Sequence, residues 1–189
     1  SACLVGSEMC IRDRLMNNGF TADSIVHESL KQMQKLELYK RRTKFFENKA
    51  SIKVVGTSDC EVNLIDFLPV IYSISLSNGK KKEVLYVGQS KLFTTRESDH
   101  LVSVFDDPSY FGLVDDDLKN DKLSLVFSIE ERIDVLSCNN MPEFTNLLCK
   151  KESEVVARLN PATQNGMKMK DKEEKRKSVE KILNALLNS

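Results

Sequence analysis

The sequence predicts an α+β domain, and two patterns carry that reading. Three short runs place apolar residues in the manner of strands: 68–76 (LPVIYSISL), 83–88 (EVLYVG) and 123–129 (LSLVFSI). Between and around them lie segments whose apolar residues recur three or four apart, the spacing of an amphipathic helix. The first two runs are separated by a polar stretch containing Asn78-Gly79, so they predict an antiparallel hairpin.

Taken in chain order, the opening "SACLVGSEMCIRDR" is similar to the translated sequencing-adapter tails found on open reading frames assembled from environmental DNA. Residues 1–15 are therefore set apart from the fold, with Met16 as a natural start. Residues 16–65 read as a basic helical extension. Thr21 can cap it, Ile25, Leu30, Met33, Leu36 and Phe45 form its apolar side, and Lys31, Lys35, Lys40, Arg41, Arg42 and Lys44 its basic side. The turn-prone GTSD at 56–59 precedes the strands. A core over 66–168 holds the three strands, a helix from Leu92 to about Val104 and a second from Pro142 to Leu159, where Pro suits the first turn and Asn160-Pro161 the stop. The acidic stretch 105–121 (FDDPSYFGLVDDDLKND) would repel phosphate and is expected away from any nucleic-acid track. Residues 169–189 read as an amphipathic helix through Val179, Ile182, Leu183, Leu186 and Leu187, packing on the domain or on a partner.

The 189 residues suit one domain with appendages. Lysine and arginine (28) balance aspartate and glutamate (28), so nucleic-acid affinity would have to rest on local patches rather than on global charge. Cys3, Cys10, Cys60, Cys138 and Cys149 are odd in number and lack zinc-site spacing, which predicts free thiols in a reducing cytoplasm. No run reaches the roughly 20 apolar residues of a membrane span, and no signal peptide is visible.

The hairpin raises a question of geometry, since each of its strands carries a tyrosine, Tyr72 and Tyr86. A two-residue turn at Asn78-Gly79 would pair Tyr72 with Leu85 and leave the phenols on opposite faces. A three-residue loop Ser77-Asn78-Gly79, with Gly79 in the left-handed region, would pair Leu76 with Lys80 and Tyr72 with Val84, placing Tyr86 diagonally beside Tyr72. At this spacing only an odd loop is expected to let them share a site. Either tyrosine alone is an ordinary packing residue with its hydroxyl at the rim. Two further anomalies change the odds. Arg96 and His100 stand four apart on one face of the following helix, beside Leu92, Phe93 and Val104. Glu152 falls inside the apolar stripe of Leu148, Val155, Val156 and Leu159, where a carboxylate is costly unless paired or bound to a metal. Glu154 reads instead as a solvated rung between Lys150 and Arg158.

In order, "VIY" at 70–72, "YVG" at 86–88, Arg96, His100 and "ESEVVARLNPATQN" at 152–165 resemble the motifs of the GIY-YIG nuclease family. That resemblance implies a small antiparallel three-stranded sheet flanked by helices. It implies a DNA endonuclease that hydrolyses phosphodiester bonds with one divalent ion, Mg2+ or Mn2+, on Glu152. Tyr72 would be the general base, Tyr86 and Arg96 would contact the phosphate, His100 would relay the proton from Tyr72 or contact phosphate directly, and Asn165 would position the substrate or the loop behind Glu152. Val70 stands where the family has its first glycine, the gap between the tyrosines is longer than usual, and Asn165 lies one position late, so Asn160 and Asn165 both remain open for the asparagine. Double-stranded DNA would be met by Lys40, Arg41, Arg42, Lys80, Lys81, Lys82, Lys168, Lys170 and Lys172. The chain looks more like a restriction-type or mobile-element enzyme than a repair subunit, and its final helix is a candidate homodimer contact. A DNA-repair nuclease subunit and a catalytically silent binding module of the same fold stand as alternatives.

Overall fold

A computed structural model describes residues 52–55, 69–90, 93–134, 138 and 140–189. The expected helix from Thr21 lies outside them. Among the described residues are β1 (Lys53–Val55), β2 (Val70–Ser77), β3 (Lys82–Ser90), α1 (Phe93–Asp106), a 3₁₀ turn (Pro108–Phe111), α2 (Asp115–Leu118), β4 (Ser124–Arg132), α3 (Met141–Leu159), the short pair β5 (Gln164–Asn165) and β6 (Lys168–Met169), and α4 (Lys172–Leu187). The α+β class holds, but the main sheet has four strands in the order β1-β4-β2-β3 rather than three. The added strand is β1, which runs parallel to β4 with Lys53 opposite Ser124. It lies inside the stretch expected to be a helical extension, so the sheet reaches back to that stretch.

Strand β2 is central and buried along seven of its eight residues, as its uninterrupted apolar and serine composition requires. Its even-numbered side chains Val70, Tyr72, Ile74 and Leu76 face one way and Ile71 the other. Ile71 and Val87 form a core cluster with Phe144, Leu148, Val155 and Val156, so α3 covers that face. His100 of α1 meets Tyr72 on the opposite face. Helix α3 begins at the Asn140 cap, whose side chain accepts from the Glu143 amide at 2.9 Å, and stops where Asn160 turns left-handed before Pro161.

The hairpin corrects one expectation while keeping its consequence. Ser77 faces Lys82, so the loop is the four residues Asn78 to Lys81, held by the Asn78 side-chain oxygen accepting from the Lys80 and Lys81 amides at 2.9 and 2.8 Å. Gly79 does take the left-handed conformation, at φ 84°. An even loop alone would separate the tyrosines. Instead Ser75 faces Val84 and Ile74 faces Tyr86, which leaves Leu85 as an extra residue, a β-bulge. The bulge restores the parity: Tyr72 faces Gly88, and Tyr86 lies one diagonal step away on the same face.

The outer edge of β3 is closed by the chain that follows α3. The Ala162 and Thr163 amides donate to the carbonyls of Val84 and Leu85, both at 2.9 Å. The Thr163 hydroxyl adds a second bond to the Leu85 carbonyl at 2.7 Å, so the bulge is pinned at its own backbone. Gln164 then acts as a side-chain strand, accepting from the Val87 amide at 2.8 Å and donating to its carbonyl at 3.0 Å. Helix α4, capped by Asp171, buries Val179, Leu183 and Leu186 against the domain. The apolar stripe considered for a dimer contact is therefore largely used within the chain. No helix among the described residues is long and apolar enough to cross a membrane.

Candidate functional site

The register of the hairpin brings the two phenols together, and a glycine makes the room. Their ring centroids are 6.1 Å apart. A Cβ on Gly88 would lie 2.6 Å from the Tyr72 hydroxyl and 2.7 Å from Tyr86 Cε1, closer than any real contact, so only glycine fits beneath the pair. From α1, His100 places Nε2 2.6 Å from the Tyr72 hydroxyl. Its ring is 5.6 Å from Tyr72 and 5.3 Å from Tyr86. Arg96, one turn earlier and exposed, also hydrogen-bonds the Tyr72 hydroxyl. The expected one-face arrangement of Arg96 and His100 is thus realised, one at the surface and one inside.

Electrostatics follow from this packing. Tyr72 is fully buried, and burial drives its phenol far above the usual range. The Tyr86 phenol adds to the rise and Arg96 opposes it. Tyr86 is raised for the same first reason, then by the phenol of Tyr110. His100 is 2% exposed. Burial and then the Arg96 charge push its imidazolium down to about 3, so the ring is neutral at ordinary pH. Arg96 can only donate, and Tyr72 keeps its single proton. With Nε2 unprotonated, the phenol can donate to it.

Glu152 is buried, 8% exposed, as its place in the α3 stripe predicts. Burial raises its carboxyl above the ordinary range, while Arg96 and hydrogen bonds from Gln89 of β3 pull the other way. It is electrostatically linked to Tyr86 and Arg96, which places it in the same constellation. Glu154 is a surface ion pair as expected, but with Lys151 at 3.0 Å; Arg158 turns to Glu130 at 3.5 Å. Among the described residues no group of three or more metal-ligating side chains forms. A metal here would rest on Glu152 with water ligands, and a buried carboxylate whose charge is disfavoured fits that role.

Five predicted residues are therefore brought together: Tyr72, Tyr86, Arg96, His100 and Glu152. Asn165 is not with them; it is exposed on β5 opposite Lys168. Asn160 is the exposed left-handed residue closing α3. The amide that turns inward is Gln164, the residue before Asn165. The 105–121 stretch also departs from expectation, because its aromatic part packs at the site. Phe111 is buried with its ring 5.6 Å from Tyr86 and 5.4 Å from His100, and Tyr110 is 6.2 Å from His100. The adjacent "YF" inside an acidic run was the available signal.

The basic residues divide into three groups. Lys40, Arg41 and Arg42 lie outside the described residues. Lys80, Lys81, Lys82, Lys168 and Lys172 are exposed, with Lys80 Nζ 3.2 Å from the Ser189 carbonyl and Lys82 Nζ 3.3 Å from the Ser128 hydroxyl. Lys170 is instead structural, donating to the Ala162 carbonyl at 2.8 Å and the Ser178 hydroxyl at 3.1 Å. Of the cysteines, Cys138 and Cys149 are described, and Cys149 is an exposed free thiol. No protein-family model, curated protein or solved structure matches the chain.

Proposed function

We propose that this protein is a metal-dependent endonuclease of the GIY-YIG kind, hydrolysing phosphodiester bonds in double-stranded DNA. The observation that carries the reading is the buried Tyr72–His100 hydrogen bond of 2.6 Å, with Arg96 on the same phenol oxygen. A phenol so raised will not ionise by itself, and an imidazole so lowered will not hold a proton by itself. Coupled, they suit a relay: the attacking water passes a proton to the Tyr72 oxygen as the Tyr72 proton moves to His100 Nε2. The water oxygen bonds to phosphorus, the ester bond to the leaving oxygen breaks, and that oxygen takes a proton from solvent. The imidazolium formed lies beside a phosphate whose negative charge is growing, which offsets the cost of charging a buried ring.

Arg96 neutralises a phosphate oxygen, as an exposed planar donor held by Tyr72 can do. Tyr86 is a second donor to the phosphate. Glu152 would hold one Mg2+ or Mn2+, which when bound supplies Lewis-acid stabilisation of phosphate charge. Lys80, Lys81, Lys82 and Lys168 offer backbone contacts that position DNA without reading its sequence. These four exposed lysines explain how a chain of zero net charge could still bind a polyanion.

The test is plasmid nicking with and without magnesium, using the natural chain, Tyr72→Phe and Glu152→Ala. Each variant is expected to lower the rate by at least about a hundredfold. Retained DNA binding with no cleavage by the natural chain would instead support a silent binding module. Cleavage untouched by either substitution would sink the site assignment.

A further inference from the structure

The proposed chemistry leaves one phenol of the site without a task. Tyr110 sits in the 3₁₀ turn, whose start is fixed by Asp107 accepting from the Ser109 amide at 3.1 Å and whose end by Gly112 in the left-handed region at φ 73°. Its neighbour Phe111 is a buried spacer that touches both Tyr86 and His100. Tyr110 stands edge-on to Phe111 at 4.8 Å and remains half-exposed. The phenol is near enough to Arg96 and Tyr86 to act on the charge of each. Among the described residues its hydroxyl has no hydrogen-bond partner.

The ring is nevertheless held firmly. Lys175 of α4 donates from Nζ to the Tyr110 carbonyl at 2.9 Å, and the same ammonium lies 5.7 Å from the centre of the Tyr110 ring. The two segments are in close contact, since a Cβ on Gly112 would stand 2.8 Å from the Lys175 backbone. Arg176 adds an ion pair to Asp117 and a bond to the Gly112 carbonyl at 3.3 Å. A fixed ring with an uncommitted hydroxyl therefore stands beside the arginine and the second phenol of the site, as a further donor for an anionic ligand.

We propose that Tyr110 is a third phenol of the site, donating to a non-bridging oxygen of the substrate phosphodiester, and that Lys175 is the positioning residue that holds it there. This rests on the phosphodiesterase reading above, and it gives the C-terminal helix a part in substrate binding.

The test is steady-state cleavage of a fluorescently labelled duplex in magnesium by the full chain, comparing natural protein, Tyr110→Phe and Lys175→Met. Tyr110→Phe keeps the ring and its packing, so the thermal midpoint should not move, while KM should rise about tenfold as a hydrogen bond to a charged group is lost. Lys175→Met should raise KM in the same direction by a smaller factor. A natural chain that cleaves, with Tyr110→Phe showing its unchanged KM, overturns the role of Tyr110 and leaves the nuclease reading standing. A natural chain that cleaves nothing overturns both.

Discussion

Gly88 governs the two phenols by what it lacks. The Tyr72 hydroxyl occupies the space a Cβ would fill, at 2.6 Å. Gly88→Ala should therefore push that hydroxyl away from His100. Overpacking of this kind costs about 1–3 kcal/mol, and a displacement near 1 Å lowers a rate about a hundredfold. Paired denaturation and nicking assays should show activity falling far more than stability. His100 makes a separate statement about pH. Its folded-state value of about 3 lies below the 6.5 of the unfolded chain, so between those pH values only the unfolded chain binds the proton. Its contribution is fully present above about pH 6.5 and is lost as pH falls toward 3, at roughly 1.4 kcal/mol per pH unit. Glu152, raised by burial, works in the opposite sense just above its ordinary range, with stability declining as pH rises. Comparing the natural chain with His100→Gln isolates the histidine. Between pH 6 and pH 4 the natural chain's unfolding free energy should fall more steeply, by about that slope. At this scale the sequence was informative: Arg96, His100 and Glu152 were legible as anomalies against local packing, whereas Tyr72 and Tyr86 took on weight only through the ordered set of motifs. Tyr110 and Gln164 were not legible as site residues: the adjacent Tyr110-Phe111 in an acidic run signals packing but not a site, and a lone glutamine after a helix violates no pattern.

At the scale of elements, the edge of β3 is where the site is assembled. Gln164 satisfies both backbone groups of Val87, and Gly88 and Gln89, which follow directly, face Tyr72 and hold Glu152. Gln164→Ala would strip two partners from a buried strand edge, at about 1–3 kcal/mol for each group left unsatisfied. We expect a fall in the urea midpoint together with faster amide exchange at Val87 relative to Ser73 on the central strand. Equal protection at both positions would argue that the edge is held by something else. The helices were readable because an apolar period of three to four residues survives in any context, and α3 falls within a residue of its predicted span, Pro142 to Leu159. The hairpin was readable as a hairpin but not in register. Its loop and its bulge offset one another, and the bulge at Leu85 depends on Thr163, 78 residues further along, a contact that no local rule can reveal.

Across the whole molecule, the C-terminal helix is part of the domain. Leu183 is 5% exposed and lies with Val179 and Leu186 in the apolar face of α4. Leu183→Ala should cost about 2–4 kcal/mol and shift a single cooperative transition. If α4 were merely a docking element, the midpoint of the rest would stay where it is. The amphipathic pattern of this helix was plain in sequence, whereas its partner was not, since the same stripe would serve a neighbouring molecule equally well. β1 was invisible for a different reason. Its residues Lys53, Val54 and Val55 are too short a run to show alternation, and they pair in parallel with β4 some 70 residues later.

The pinning of Leu85 also separates the outer end of the hairpin from its inner end. Because Thr163 fixes the chain just before Tyr86, the phase of that phenol is held by a contact outside the loop. The tip is held separately by the end of α4, where Asn78 Nδ2 donates to the Leu186 carbonyl at 2.6 Å and Lys80 Nζ to the Ser189 carbonyl at 3.2 Å. Residues added there would cost about 0.6 kcal/mol for each doubling of the loop, besides the bonds to α4, and would leave Leu85 pinned by Thr163. The proposed site could then be given new reach by grafting at one loop, with its phenols still set by the contact at Thr163.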